Sequence, residues 1–193
     1  MTMSVTQTVD ARKPLQGLLP VWVGLAIYAL LLMAGSGLLN DPDTYWQITV
    51  GQWILDHHAV PHTDVYTFTM YGQPWISTQW LAQVLYAIAY GVAGWTGPVV
   101  LAAGAAAITI AMLTRVLDQR LPMTVTLIFV ATALSLMAGH LMARPHVLAM
   151  PVMVAWVAGL VSAMDRKSTP SFWLLPLMAL GPTCMAVSFS GSH

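Results

Sequence analysis

The sequence predicts an all-α polytopic membrane protein, with about five to six transmembrane helices of roughly 20 residues each and a long first extracytoplasmic loop bearing amphipathic juxtamembrane helices. Three observations carry this. Only 7% of the 193 residues are charged, against roughly 25% in an average soluble domain, so a soluble fold has no charged coat to draw on. Apolar residues make up 58% and the mean hydropathy is +0.71, which also excludes a disordered chain. The apolar residues are gathered into runs long enough to cross a bilayer, with the few cations between them. The formal net charge is zero, so no basic field suits a nucleic-acid partner. The single Cys184 excludes a disulfide framework and a Cys-based zinc site.

Residues 1–17 form a tail carrying Arg12 and Lys13, and 18–39 is the first transmembrane helix. Its core exceeds the roughly 7–15 apolar residues of a signal-peptide core. Despite the small-residue patch Ala34-Gly35-Ser36, it reads as an uncleaved signal anchor. Residues 40–96 are an extracytoplasmic loop, and 97–187 hold the further transmembrane helices, with apolar runs at 98–117, 122–142, 147–164 and 172–187. The segment 75–93, apolar from Trp80 onward, is interfacial or membrane-inserted, and the cations decide how it is counted. If it does not span, Arg12, Lys13, Arg115, Arg120, Arg166 and Lys167 share one side and Arg144 alone lies on the other. If it does, the cations split almost evenly. Lys and Arg concentrate on the cytoplasmic side, so the first arrangement is expected. It places the N-terminus in the cytoplasm and a second extracytoplasmic corner at Met142-Ala143-Arg144-Pro145-His146.

Within the first loop, Asn40-Asp41-Pro42-Asp43 reads as a helix start. Asp41 can cap, Pro42 suits the first turn, and Asp43 favours the positive end of the dipole. Trp46, Val50, Trp53 and Ile54 follow at helical spacing, so this helix is expected on the membrane surface, weakened modestly by Gly51 and ended by Val60-Pro61. Residues 65–70 alternate as a short strand or extended stretch, Gly72-Gln73-Pro74 turns the chain, and Ser77 or Thr78 is expected to cap a helix from Trp80.

Capping alone accounts for two such carboxylates. What points Asp41 and Asp43 toward chemistry is their place directly after a span, among aromatic residues, with Arg144-Pro145-His146 expected at another corner of the same side. Arg144 is a good bidentate phosphate ligand, and a headgroup-seeking Arg is the plain alternative. His140, inside the third span, reads as a packing residue. His57, His58 and His62, with Asp56 and Asp64, match no tight metal motif and read as loop chemistry, although a divalent ion there stays open.

The order of these features resembles the N-terminal module of GT-C-class, polyprenyl-phosphate-dependent, mannosyltransferase-like bacterial membrane glycosyltransferases. The resemblance rests on Asp41-Pro42-Asp43, Thr44-Tyr45-Trp46, Gly51-Gln52-Trp53-Ile54, Pro74-Trp75, Trp80-Leu81-Ala82-Gln83 and Arg144-Pro145-His146, and covers roughly residues 18–180. It implies an enzyme of the bacterial inner membrane that transfers a sugar from a polyprenyl-phosphate donor on the extracytoplasmic side, in contact with membrane lipids. Asp43 would be the base with Asp41 its partner or a metal ligand, and Arg144 and His146 would face the donor phosphate. The metal is unknown, a divalent cation being one option for the cofactor. Such enzymes have many more spans, and the tail 181–193 is expected to be frameshifted. Codons for Gly181 to Ser188, with one T restored before them, read Trp-Ala-Asn-Met-His-Gly-Ser-Phe, a continuation that resembles related proteins. The chain would then be a truncated fragment of a longer enzyme, with inactivity of the fragment one outcome, since half the acceptor cavity would be missing. The alternatives are a non-catalytic membrane subunit and a transporter component. The second is disfavoured by the scarcity of ionisable groups within the spans.

Overall fold

The computed structural model describes residues 16–184. Its regular elements are all helical: α1 (Leu19–Ala34), α2 (Asp43–His57), α3 (Trp80–Ala93), α4 (Thr96–Asp118), α5 (Met123–Met137), α6 (Pro145–Asp165) and α7 (Leu174–Cys184), with no strand among the described residues. α1 runs on through a 3-10 stretch, Gly35–Leu39, entered at Gly35 with φ +50°. α5 likewise ends in a 3-10 turn, Ala138–His140. Four helical segments are long and apolar enough to cross a membrane: Leu19–Leu39, Thr96–Asp118, Met123–His140 and Pro145–Asp165. The molecule is therefore an all-α polytopic membrane protein. A fifth span over 172–187 is seen only as the eleven residues of α7, and 185–193, like the tail 1–15, lies outside the described residues.

α4 is the central helix and packs against α1, α3, α5 and α6. It can do so because its buried face is small: Ala102, Ala103, Ala105, Ala106 and Ala107. Gly24 of α1 sits so close to this helix that an added Cβ would lie 2.9 Å from the Ala111 Cβ. Small residues let membrane helices approach where no hydrophobic driving force exists between them. The Gly24–Ala111 contact joins the first half of α1 to the second half of α4, so the two run antiparallel. At the same end, Arg120 after α4 pairs with Asp165 at the end of α6, Nη2 to Oδ2, at 2.5 Å. Arg115, Arg120, Arg166 and Lys167 thus lie toward one end of the bundle and Arg144 at the other, the grouping expected if 75–93 does not span. α3 supports this by length: 14 residues extend about 21 Å, short of the roughly 30 Å hydrocarbon core.

α2 and α3 form an antiparallel hairpin. Gly51 is its pivot: a Cβ there would run into the backbone carbonyl of Gln83 and come within 2.8 Å of the Ala87 Cβ. The sequence suggests a mild weakness at Gly51; the structure instead makes it a residue that permits the close approach of α2 and α3. The buried face of α2 is Thr44, Gln47, Ile48, Gly51 and Ile54, with Val50, while Trp46 and Trp53 are half-buried. The helix ends at His58, in the left-handed conformation, just ahead of Val60-Pro61.

Two local expectations are corrected. Residues 65–70 are turns and bends, not a strand, and the only bridge among the described residues joins Thr63 to Pro74. The cause is Asp64. Its Oδ1 accepts the amides of Tyr66 and Thr67, both at 2.9 Å, and its Oδ2 accepts the Thr67 hydroxyl, a local alternative to strand pairing. Nor do Ser77 or Thr78 cap α3, whose first residue is preceded by Gln79 with no side-chain cap. Buried Ser77 is engaged instead in donating its hydroxyl to Gln83 Oε1.

Candidate functional site

The chain leaves α1 through Leu38-Leu39 and turns at once into α2. Asp41 makes the turn: its Oδ1 accepts the Asp43 amide at 2.9 Å, and its carbonyl accepts the Thr44 amide at 3.1 Å. From the other end of the sequence, the α5–α6 corner docks here. The Ala143 amide donates to the Leu38 carbonyl at 2.8 Å, and the Thr44 hydroxyl donates to the Ala143 carbonyl at 3.1 Å. The Tyr86 hydroxyl of α3 donates to the Arg144 carbonyl at 3.0 Å. Three elements therefore fix the backbone of the Ala143-Arg144 corner.

Its side chain then reaches the acidic motif. Arg144 Nε pairs with Asp41 Oδ2, and Nη2 lies 3.5 Å from Asp43 Oδ2. The three groups differ in exposure, and the difference divides their work. The Asp41 side chain is 2% exposed, that of Arg144 43% and that of Asp43 60%. Asp41 is the buried anchor; Asp43 is the carboxylate a ligand can reach. One turn further along α2, Gln47 is also buried and its Oε1 has no hydrogen-bond partner among the described residues.

Of the residues singled out from sequence, Asp41, Asp43 and Arg144 are brought together across 103 positions of chain. His146 stands on the same corner, but its Nε2 is held at 2.8 Å from the His140 carbonyl, and it forms no ion pair with either Asp among the described residues. His140 itself is exposed, not a buried packing residue, at the last position of the Met123–His140 segment. Tyr86 and Leu38 are additions the sequence reading passed over, and Thr44, quoted there only within a motif, gains a definite contact. Tyr86 carried a signal: a Tyr in an uncharged apolar helix usually has a partner for its hydroxyl.

The histidine-rich end of α2 is occupied with local contacts. His57 stacks on Trp53 with ring centroids 4.2 Å apart and Nδ1 2.9 Å from the Trp53 carbonyl, and Gln52 donates to Asp56 at 3.1 Å. No group of three His, Cys, Asp or Glu side chains among the described residues is arranged to hold a metal ion. The loop beyond is built by Asp64, whose carboxyl is held below its ordinary pKa first by the Thr67 hydroxyl, then by the Thr67 and Tyr66 amides. Tyr66 is pushed the other way by partial burial and by the nearby Asp56 charge.

An apolar groove of about 540 Å³ opens between the end of α1 and the end of α5. Ile27, Leu31 and Leu38 line one wall and Leu134, Ala138 and Leu141 the other. Leu38 and Leu141 belong to the very segments that carry Asp41 and Arg144. A second, smaller apolar groove of about 240 Å³ lies between α4 and α6.

A bundle with four crossing-length apolar helices, its few charges gathered at the ends, defines an all-α polytopic membrane protein. No protein-family model, curated protein or solved structure matches the chain.

Proposed function

We propose that this protein is a GT-C-like membrane glycosyltransferase, or the N-terminal part of one, that transfers a sugar from a polyprenyl-phosphate donor on the side of the membrane bearing Arg144. One observation carries the reading: an accessible carboxylate, Asp43, stands beside a half-exposed Arg144 that is paired to buried Asp41, and the segments bearing Asp41 and Arg144 also supply Leu38 and Leu141 to an apolar groove. That is the arrangement a lipid-linked phosphosugar asks for. Its hydrocarbon chain needs an apolar groove open to the bilayer. Its anomeric carbon needs to sit at the surface, where a water-soluble or lipid-borne hydroxyl can attack.

In this reading Asp43 takes the proton of the acceptor hydroxyl as the new glycosidic bond forms, and the bond to the lipid phosphate breaks with the phosphate as leaving group. Asp41 orients Asp43 through the Asp43 amide and holds Arg144 in place. Arg144 supplies the positive charge the departing phosphate meets. The bacterial inner membrane and a cytoplasmic N-terminus belong to the same proposal, supported by the grouping of Arg115, Arg120, Arg166 and Lys167 at the far end. A transporter component fits less well. Buried Thr109 and Thr114 in α4 return their hydroxyls to the carbonyls of Ala105 and Ile110, at 2.8 and 2.7 Å, and so offer nothing to a substrate crossing there.

The test is Asp43→Asn at the chromosomal locus, with envelope glycans and lipid-linked sugars read by mass spectrometry. Loss of one glycan together with accumulation of its lipid-linked precursor is expected. Unchanged glycans alongside a lost membrane complex would instead identify a non-catalytic subunit.

A further inference from the structure

The loop between α2 and α3 ends in a tip whose chemistry is unusual for a water-facing turn. Residues 64–73 close on themselves: the Asp64 amide donates to the Gln73 carbonyl at 2.9 Å, the Gly72 amide to the Asp64 carbonyl at 2.8 Å, and the Gln73 amide to the Met70 carbonyl at 3.0 Å. Gly72 takes φ +79° to complete the turn. Together with the amides and hydroxyl gathered by the Asp64 carboxylate, this turns the polar groups inward. What points outward is Phe68, fully exposed, with Tyr71 and Met70 also exposed. A closed hydrogen-bonded turn that displays an aromatic ring to its surroundings is a built feature, since leaving such side chains in water forfeits about 1.5–3 kcal/mol each.

Three further observations identify the surroundings. From Val65 to Thr114 the chain has no charged residue and no His, so the tip carries no charge that would be costly to bring to a lipid surface. This uncharged run continues directly into α3, where Gln83 and Tyr86 are buried and the exposed residues Leu85, Ile88 and Val92 form one apolar stripe. A helix apolar on both sides, with no charge to solvate it, belongs in contact with lipid. Trp80 opens α3 and Trp95 follows its end, both about one-third exposed, which is the placement of interfacial aromatic anchors. α4, a membrane-crossing segment, begins one residue after Trp95.

We propose that the Phe68–Met70–Tyr71 tip is a lipid anchor: it sits in the leaflet on the Arg144 side, in the same layer as the exposed stripe of α3, and holds the α2–α3 hairpin down on the membrane. The inference does not depend on the glycosyltransferase reading. It is tested on the full chain with Cys184→Ala, in nanodiscs of phosphatidylethanolamine and phosphatidylglycerol. Spin labels are placed singly at Phe68→Cys, Tyr71→Cys, Ile88→Cys and Asp56→Cys. Labels at 68, 71 and 88 are expected to collide mainly with oxygen, the lipid-soluble relaxant, and the label at 56 mainly with a water-soluble nickel chelate. Adding Phe68→Ser and Met70→Ser is expected to move the label at 71 from oxygen to nickel access while the label at 88 is unchanged, which keeps the result separate from misfolding. Nickel access at 68 and 71 in the unaltered tip would overturn the proposal in favour of a water-facing loop. Shielding from both relaxants would overturn it in favour of a protein contact.

Discussion

The joint between the acidic motif and the α5–α6 corner makes a quantitative prediction because its two partners are buried so unequally. Removing one partner of a fully buried ion pair costs about 3–5 kcal/mol, whereas an exposed pair contributes only about 0.2–1 kcal/mol. Here the carboxylate of Asp41 is 2% exposed and the guanidinium of Arg144 is 43% exposed. Arg144→Met therefore strands a buried negative charge, and discounting the fully buried limit for the half-open side gives about 2–3 kcal/mol. Asp41→Asn is milder. The amide oxygen still accepts the Asp43 amide, and Arg144 keeps water and Asp43, so the loss is about 1 kcal/mol. The double variant removes the stranded charge altogether and should cost less than the sum of the singles by about 1–2 kcal/mol. The assay is unfolding in bicelles, followed by tryptophan fluorescence and far-UV circular dichroism, over the complete cycle. Singles that add to within about 0.5 kcal/mol, or Asp41→Asn costing more than Arg144→Met, would refute the reasoning.

Other outcomes follow from the same geometry. Gly51→Leu drives a side chain into the Gln83 carbonyl and Ala87 and should destabilise the α2–α3 hairpin by about 1–3 kcal/mol, while Gly91→Ala, where a Cβ meets nothing within 4 Å, should gain about 0.5–1 kcal/mol; the same bicelle unfolding distinguishes them. Asp64 has a lowered pKa in the folded loop, so its contribution is present above the ordinary carboxylate range and is lost only as pH falls through the lower folded value. Thr67→Val removes the largest cause and should move that loss to higher pH, read as protease sensitivity of the 62–75 loop. Gln47→Met removes a buried acceptor with no partner among the described residues, whose desolvation costs about 1–3 kcal/mol, and should raise the unfolding midpoint; a lowered one would show that Gln47 is held by bonds the protein needs.

The helices were legible because their signal is coarse. Runs of about 20 apolar residues and a periodicity of 3.6 located α1, α4, α5 and α6 to within a few residues, and Asp41-Pro42-Asp43 announced the start of α2. The distribution of charge suggested that 75–93 does not span, since only then does Arg144 stand apart from the other cations, and α3 is a helix of 14 residues. What stayed hidden depends on contacts across the sequence. Alternation at 65–70 suggested a strand, but a side chain outside the pattern, Asp64, took the amides first. Ser77 was spent on Gln83 and not on a cap. Gly51 reads as a flaw until Gln83 is placed against it. The meeting of Asp41 with Arg144 was suggested by topology, yet nothing in the sequence said which carboxylate would be buried, because that depends on how the Ala143 corner docks on Leu38 and Thr44, the residues on either side of the acidic motif.

This division between the two carboxylates bears on what Arg144 can do. Two carboxylates and one guanidinium leave the cluster with one excess negative charge when all are ionised. A phosphate entering it meets net repulsion unless Arg144 turns toward the newcomer. Asp41 holds Nε and is buried, so that bond is the costly one to break. Asp43 lies 3.5 Å from Nη2 and is mostly in water, so that contact is the cheap one. On the proposed reading, the donor phosphate displaces Asp43 from Arg144 and leaves Asp41 in place, and the displaced Asp43 is then free to face the acceptor hydroxyl. Arg144→Lys tests this step. A lysine can still neutralise Asp41 as a point charge but lacks the fork that serves carboxylate and phosphate together. It should preserve most of the stability of the joint while losing transfer. If Arg144→Lys keeps both, Arg144 is only a structural tie and the phosphate is met elsewhere, with His146, one helical position beyond Pro145, the nearest remaining candidate on that corner.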